Sequence, residues 1–352
     1  MKLKVGELLE CDQLDELLIE HLDEVGKISV RVPILDYYLL DENLEILSIE
    51  KIGERKFAYR LSSSSSIESF SMDVGTRLQG RKGRKVDPLE LKRKIEEWTR
   101  DAMLRASLCE HGNLERDVMR FLKSYDDVIL APDTNILLDC VTTSILLPKI
   151  EQKIGEELKG CPNWILIAIP KLVMYEVERK AIRKFSMSEF PERAGWPKYD
   201  GRIGQRALQE VLELDTNIDY RGVSIMTIGE IPSTFDSFKN DQTRLDSEIR
   251  YQVRDFISRI SFHKGIFFIT QDRVNAMMAR AEGLQSLFLQ KPEYNKLTKE
   301  SLRNENVTRV IYETAVTYGE IRINGLGGFS IFWPGKHVLD WEKSRIAVTK
   351  IF

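Results

Sequence analysis

From residue 126 onward the chain alternates short apolar runs with helix-length amphipathic segments, and this alternation limits its fold more than any other feature. Val128 to Ala131, Ile165 to Ile169, Val223 to Ile228, Ile266 to Thr270 and Leu287 to Leu289 read as strands. Helical periodicity fills the spaces between them: a segment after Ile169 running through Phe185, then Arg202 to Leu214, Thr243 to Phe262 and Arg273 to Gly283. A strand that is apolar at consecutive positions is buried on both faces, because its side chains alternate from one face to the other. Such strands separated by helices predict a parallel sheet covered on both sides, with right-handed crossovers. The expected class is α/β.

The flanks read differently. Leu14 to Leu22 has a helical stripe, and Ile28 to Val32, Leu44 to Ile49 and Phe57 to Leu61 read as strands, so 1–86 is expected to be a small mixed α+β accessory domain. Five serines, 62–66, suit a mobile loop. Asp87-Pro88-Leu89-Glu90 carries the marks of a helix start, with Asp87 as N-cap, Pro88 as first helical residue and Glu90 as reciprocal partner. A helical connector is expected over 87–125, its first helix running to about Leu108 and a second covering about 114–124. The sheet domain would span 126–290. A helix near 305–317 and short strands at Glu320 to Asn324, Phe329 to Phe332 and Arg345 to Ile351 make 291–352 a short β-rich C-terminal extension.

Composition excludes several classes. The chain has 352 residues, 42% hydrophobic and 30% charged, enough for two or three domains with a sizeable core. Its net charge of −3 comes from 52 basic and 55 acidic residues, which is not the excess of a nucleic-acid-coating protein but leaves room for local basic patches. No apolar run approaches the length of a membrane span, and acids interrupt the N-terminal segment, so no membrane partner and a cytoplasmic location are expected. Cys11, Cys109, Cys140 and Cys161 form no Cys-x-x-Cys pair and the histidines are scattered, so zinc spacing is absent.

Four acids stand at the edges of apolar runs. Asp133 ends Val-Ile-Leu-Ala-Pro-Asp, followed by Thr134 and Asn135; Glu176 ends Ile-Pro-Lys-Leu-Val-Met-Tyr-Glu; Asp246 lies in Leu-Asp-Ser-Glu-Ile; and Asp272 lies in Phe-Phe-Ile-Thr-Gln-Asp-Arg. In an open parallel sheet, ligands bind at the carboxyl ends of the strands, where all four can gather. Two unit charges about 4 Å apart repel by about 4 kcal/mol at an effective dielectric of about 20, so such a group must take up protons or bind a cation. Oxygen-only ligands suit Mg²⁺ or Mn²⁺, and such an ion can activate water against a phosphodiester. The plainer readings are helix caps for Asp133 and Asp272. For Glu176 the plainer reading is a solvated helix charge, with Glu178 as its rival. Asp246 competes with Asp241, which looks like a cap, and with Glu248. Asn275, one turn beyond Asp272, is a weaker candidate.

Asp133-Thr134-Asn135 after an apolar strand, Glu176 on the helix after the second strand, Asp246-x-x-Ile249, and Thr270-x-Asp272-Arg273 with Ala276 and Ala279 following resemble, in that order, the PIN-domain nucleases. The resemblance covers roughly 126–290. It implies a three-layer α/β/α domain around a central parallel sheet and metal-dependent cleavage of single-stranded RNA. It further implies that Thr134 or Asn135 orients the first acid by hydrogen bonding and that Thr270 supports the fourth. Self-association as a homodimer is also implied. The long extensions fit a housekeeping or regulatory RNA-processing role better than a toxin.

Contacts to a nucleic-acid backbone need basic residues near the acids. Arg179, Lys180, Arg183 and Lys184 follow Glu176 on its helix, and Arg273 adjoins Asp272. The stretch 77–85, with Arg81, Lys82, Arg84 and Lys85 among its basic residues, is a second candidate. The loop 186–201 carries Phe190, Trp196 and Tyr199, which could stack on unpaired bases or pin the loop to its own core. Three rival functions are a flap-type DNA nuclease, for which no helix-hairpin-helix pattern is found, a unit that binds RNA or protein without cutting, and a receiver-type phosphoryl switch, whose paired acids would have to follow the first strand, whereas Asp126 and Asp127 precede it.

Overall fold

The computed structural model describes residues 4–33, 43–79, 87–119, 124–125, 127–142, 146, 164–182, 199–216, 223–260, 265–299, 302–325, 328–335 and 344–351. The chain forms two compact units. One comprises 1–109, 183–202 and 292–352, the other 110–182 and 203–291.

The first unit begins with a short strand β1 (Leu8–Glu10) and helix α1 (Cys11–Val25). Glu10 and Gln13 close a reciprocal capping box at the start of α1, and Gly26, at φ 69°, ends it in the left-handed conformation that costs glycine no Cβ clash. Leu14, Leu17, Leu18, His21 and Leu22 form its buried stripe. Strands β2 (Lys27–Pro33), β3 (Asn43–Gly53) and β4 (Lys56–Leu61) follow as an antiparallel meander. Helix α2 (Ser64–Gln79) then starts inside the serine run read as a loop. Its reason is local: Ser63 Oγ accepts from Ser66 N at 3.1 Å, an N-cap bond, and Ile67, Ser71 and Val74 give the helix a buried face. Helix α3 (Pro88–Arg105) starts as expected, with the Asp87 side chain accepting from Leu89 N.

The second unit is built on β5 (Asp127–Pro132), a short helix α4 (Thr134–Leu138), β6 (Trp164–Pro170), α5 (Lys171–Ile182), α6 (Tyr199–Thr216), β7 (Val223–Ile228), α7 (Gln242–Arg259), β8 (Gly265–Thr270), α8 (Arg273–Ala281) and β9 (Ser286–Phe288). The first residues of α6 belong to the other unit. The five strands pair in parallel in the order β7-β6-β5-β8-β9. Val128, Ile129, Leu130 and Ala131 are all buried, so both faces of β5 are covered. Helix α5 packs on α4 and α7. Gly204 in α6 meets α5 so closely that a Cβ there would strike the backbone of Lys180 and Ala181. Chain order runs outward from β5 through β6 to β7, then crosses to β8 on the other side of β5. That reversal is a topological switch point, and it lies at the carboxyl ends of β5 and β8.

The chain returns to the first unit through α9 (Tyr294–Leu297), β10 (Leu302–Asn304), α10 (Val307–Tyr318), β11 (Glu320–Asn324), β12 (Phe329–Phe332) and β13 (Arg345–Ile351). These strands complete one antiparallel sheet of eight, in the order β1-β13-β12-β11-β2-β3-β4-β10. The segments read from sequence as an N-terminal domain and a separate C-terminal extension are therefore one sheet. Leu8 pairs with Ala347 and Arg31 with Arg322, pairings too distant in sequence to leave a local pattern. The core of this unit includes Trp333, whose Nε1 donates to the Tyr312 hydroxyl at 3.1 Å, and a buried Arg105–Glu313 ion pair at 3.3 Å. None of the helices among the described residues is long and apolar enough to cross a membrane.

Candidate functional site

Asp133 follows β5 directly, and its backbone N–H continues the ladder by donating to Ile269 O at 2.8 Å. That bond fixes the residue at the switch point beside the end of β8. Its carboxylate is buried and surrounded by neutral donors. Thr134 N reaches Oδ1 at 2.8 Å, while the Thr270 hydroxyl, Asn275 Nδ2 and Asn135 Nδ2 reach Oδ2 at 2.6, 2.9 and 3.1 Å. Burial pushes the Asp133 pKa up, against the lowering effect of those four bonds. Asp133 also caps α4, so the plainer reading and the functional one describe the same residue.

The partners are themselves fixed. Asn135 Oδ1 accepts from Gln271 N at 2.9 Å. Asn275 Oδ1 accepts from Arg250 Nη1 at 2.5 Å, which turns the amide nitrogen of Asn275 toward Asp133. Arg250 is buried and holds the Glu282 carboxylate through Nε and Nη2 at 2.8–3.0 Å. Thr270 Oγ1 gives its proton to Asp133 and accepts from Asp272 N at 3.0 Å. The expected support of the fourth acid by Thr270 thus reaches its backbone, while the hydroxyl proton goes to the first acid.

Glu176 sits in α5, buried, and accepts from the Thr134 hydroxyl. Of the two residues expected to orient the first acid, Asn135 does so through its side chain, whereas the Thr134 side chain serves the second acid. Gln242, the first residue of α7, donates from Nε2 to Asp246 Oδ1 at 2.8 Å and to Glu176 Oε1 at 3.4 Å. Asp246 is pushed up to about 6. Desolvation is the main cause, opposed by the Gln242 bond and reinforced by the charges of Asp133, Glu176 and Asp272 in that order. The four acids are therefore within electrostatic reach of one another. Asp272 is exposed and caps α8, accepting from Val274 N and Asn275 N at 2.7 and 3.0 Å.

Among the described residues no Lys, Arg or His forms an ion pair with any of the four. Nor do three acidic, histidine or cysteine side chains converge at the spacing of a closed metal cage. The Glu176–Asp246 pair bridged by one amide is a different kind of site: hydrated Mg²⁺ takes one or two carboxylates and keeps several waters. The oxygen-only donors and their crowded charge fit such an ion. Asp133, with one of its oxygens accepting three bonds, could contribute only through Oδ1.

The rivals separate clearly. Asp241 caps α7 by accepting from Arg244 N at 3.2 Å, and Glu178 points to solvent. Arg179 is tied to Lys239 O at 2.5 Å, Lys180 is half-buried and Arg273 is exposed. Arg81, Lys82, Arg84, Lys85, Arg183, Lys184, Phe190 and Trp196 lie outside the described residues, and Tyr199 starts α6. Gln242 and Arg250 are not among the residues the sequence motifs mark. Both were accessible in principle, standing four residues before and four after Asp246 on one helix face.

No family model matches this chain, and no curated protein does either. Among solved structures, the chain is similar to a domain of a functionally unknown protein from Methanocaldococcus jannaschii DSM 2661. The identity is 19% over 47% of this chain and 93% of that one, with a TM-score of 0.32.

Proposed function

We propose that the second unit is a PIN-like, three-layer α/β/α nuclease that cleaves single-stranded RNA with Mg²⁺ or Mn²⁺. The observation that carries the proposal is the set of four acids at the switch point of a parallel sheet, held by neutral donors and matched by no cationic side chain among the described residues. Glu176 and Asp246 would hold the ion, with Asp133 fixed beside them. The ion would offset the carboxylates' repulsion and polarise the scissile phosphate.

The chain's own groups do the remaining work. The Asn275, Asn135 and Thr270 donors hold Asp133 in one orientation, so it needs no reorganisation when substrate arrives. Glu176 and Asp246, joined through the Gln242 amide, would orient water held by the ion for attack on the phosphate. Arg273, exposed next to Asp272, and Lys180, one helical turn beyond Glu176, would meet phosphate, whereas Arg179 is already bound to Lys239 O.

One observation favours a rival, a unit that holds RNA without cutting it: no three acids among the described residues stand at cage spacing. Cleavage of a labelled single-stranded RNA in Mn²⁺, Mg²⁺ or EDTA, with wild type and Asp133→Asn in parallel, separates the two. The nuclease reading expects metal-dependent cutting, reduced at least about 100-fold in the variant, since removing one preorganised group at a reacting centre has effects of that order. Binding without cutting of either RNA or a DNA flap would favour the rival.

A further inference from the structure

Among the described residues, the side-chain nitrogen of Gln242 joins Glu176 to Asp246. An uncharged amide is an odd partner for two carboxylates that share the charge field of two more. Each of its two protons carries only a partial charge, so it relieves the repulsion between the acids in part. The contacts are also unequal: 2.8 Å to Asp246, four residues along the same helix, and 3.4 Å to Glu176 on α5, at the outer limit of a hydrogen bond. Gln242 is exposed and is the first residue of α7, where Asp241 supplies the cap. Its side chain can therefore turn into solvent without disturbing the helix or the sheet. Asp133 is held differently, by buried donors that are themselves anchored through Arg250 and Gln271.

We propose that Gln242 is a displaceable place-holder: its carboxamide spans Glu176 and Asp246 while the site lacks a divalent ion, and it swings out when the ion enters. This rests on the metal reading above and adds a direction to it. An amide that oriented the two acids for the ion would assist binding. A place-holder competes with the ion, because both of its hydrogen bonds have to break first. Removing the amide then strengthens ion binding, which is the opposite of what loss of a positioning residue does.

The test is Mn²⁺ binding to the full chain at pH 7.5, measured by calorimetry and by the electron paramagnetic resonance signal of free Mn²⁺. Gln242→Ala and the nearly isosteric Gln242→Met are compared with wild type, with Glu176→Gln as control for the site. The expected result is about tenfold tighter binding in both Gln242 variants, the equivalent of one net hydrogen bond to a charged group, and loss of binding in Glu176→Gln. Unchanged or weaker binding in the Gln242 variants, with wild type still binding through Glu176, overturns the place-holder and leaves the metal reading standing. No Mn²⁺ binding by any protein, or binding that survives Glu176→Gln, overturns both.

Discussion

Arg105 and Glu313 in the first unit and the acids around Asp133 in the second are two opposite treatments of buried charge. Arg105 is fully buried, and its guanidinium meets the Glu313 carboxylate at 3.3 Å and the Thr317 hydroxyl at 2.5 Å. Opposite charges meet there directly. Around Asp133 the donors are threonine, asparagine, glutamine and backbone amides, all neutral. The nearby Arg250 is bound to Glu282 and reaches Asp133 only through the amide of Asn275. Among the described residues the acids around Asp133 meet neutral donors and no opposite charge.

The comparison makes the two regions respond oppositely to mutation. Arg105→Met takes the arginine away from the buried Glu313 and is expected to cost about 3–5 kcal/mol of stability in urea unfolding. A loss under about 1 kcal/mol would show that the pair does not hold the first unit together. Asp246→Asn is expected to stabilise. The carboxyl of Asp246 is raised from 3.8 to about 6 in the folded state, so the folded chain binds that proton more tightly than the unfolded chain does. Stability from this group therefore falls as pH rises from about 4 to about 6, and the penalty is fully present above that window. In EDTA at pH 8 the variant should exceed wild type by about 1–2 kcal/mol, because solvent screens this partly exposed carboxyl, and it should converge with wild type below about pH 4. A variant less stable than wild type at pH 8 would mean that the charge is already matched.

Asp133 and Asp272 can be read from the sequence because they follow apolar strands, and that pattern is local. The strands Val223–Ile228, Glu320–Asn324, Phe329–Phe332 and Arg345–Ile351 show the same legibility, their bounds following from apolar runs and the glycines or polar residues around them. What resisted reading was non-local or neutral. The three-residue strand Leu8–Glu10 is too short to display a period, and its partner Arg345–Ile351 lies at the other end of the chain. The serine run looks like coil by composition, yet Ser63 caps a helix whose buried residues come later. Gln242 carries no charge to draw notice. Arg250 gave a usable signal, a basic residue on the stripe of Leu245, Ile249 and Val253 that α7 buries. An arginine on such a face needs acceptors, and its acceptors, Asn275 and Glu282, lie on or just beyond α8.

Thermal unfolding of the full chain at pH 7.5, in EDTA and then in Mn²⁺, run beside Asp246→Asn, asks whether the acids are completed by a cation. If they are, Mn²⁺ at about a hundred-fold excess over its Kd raises the wild-type midpoint by about 5 °C and leaves the variant nearly unmoved. A wild-type midpoint indifferent to Mn²⁺, or an equal rise in Asp246→Asn, would contradict it.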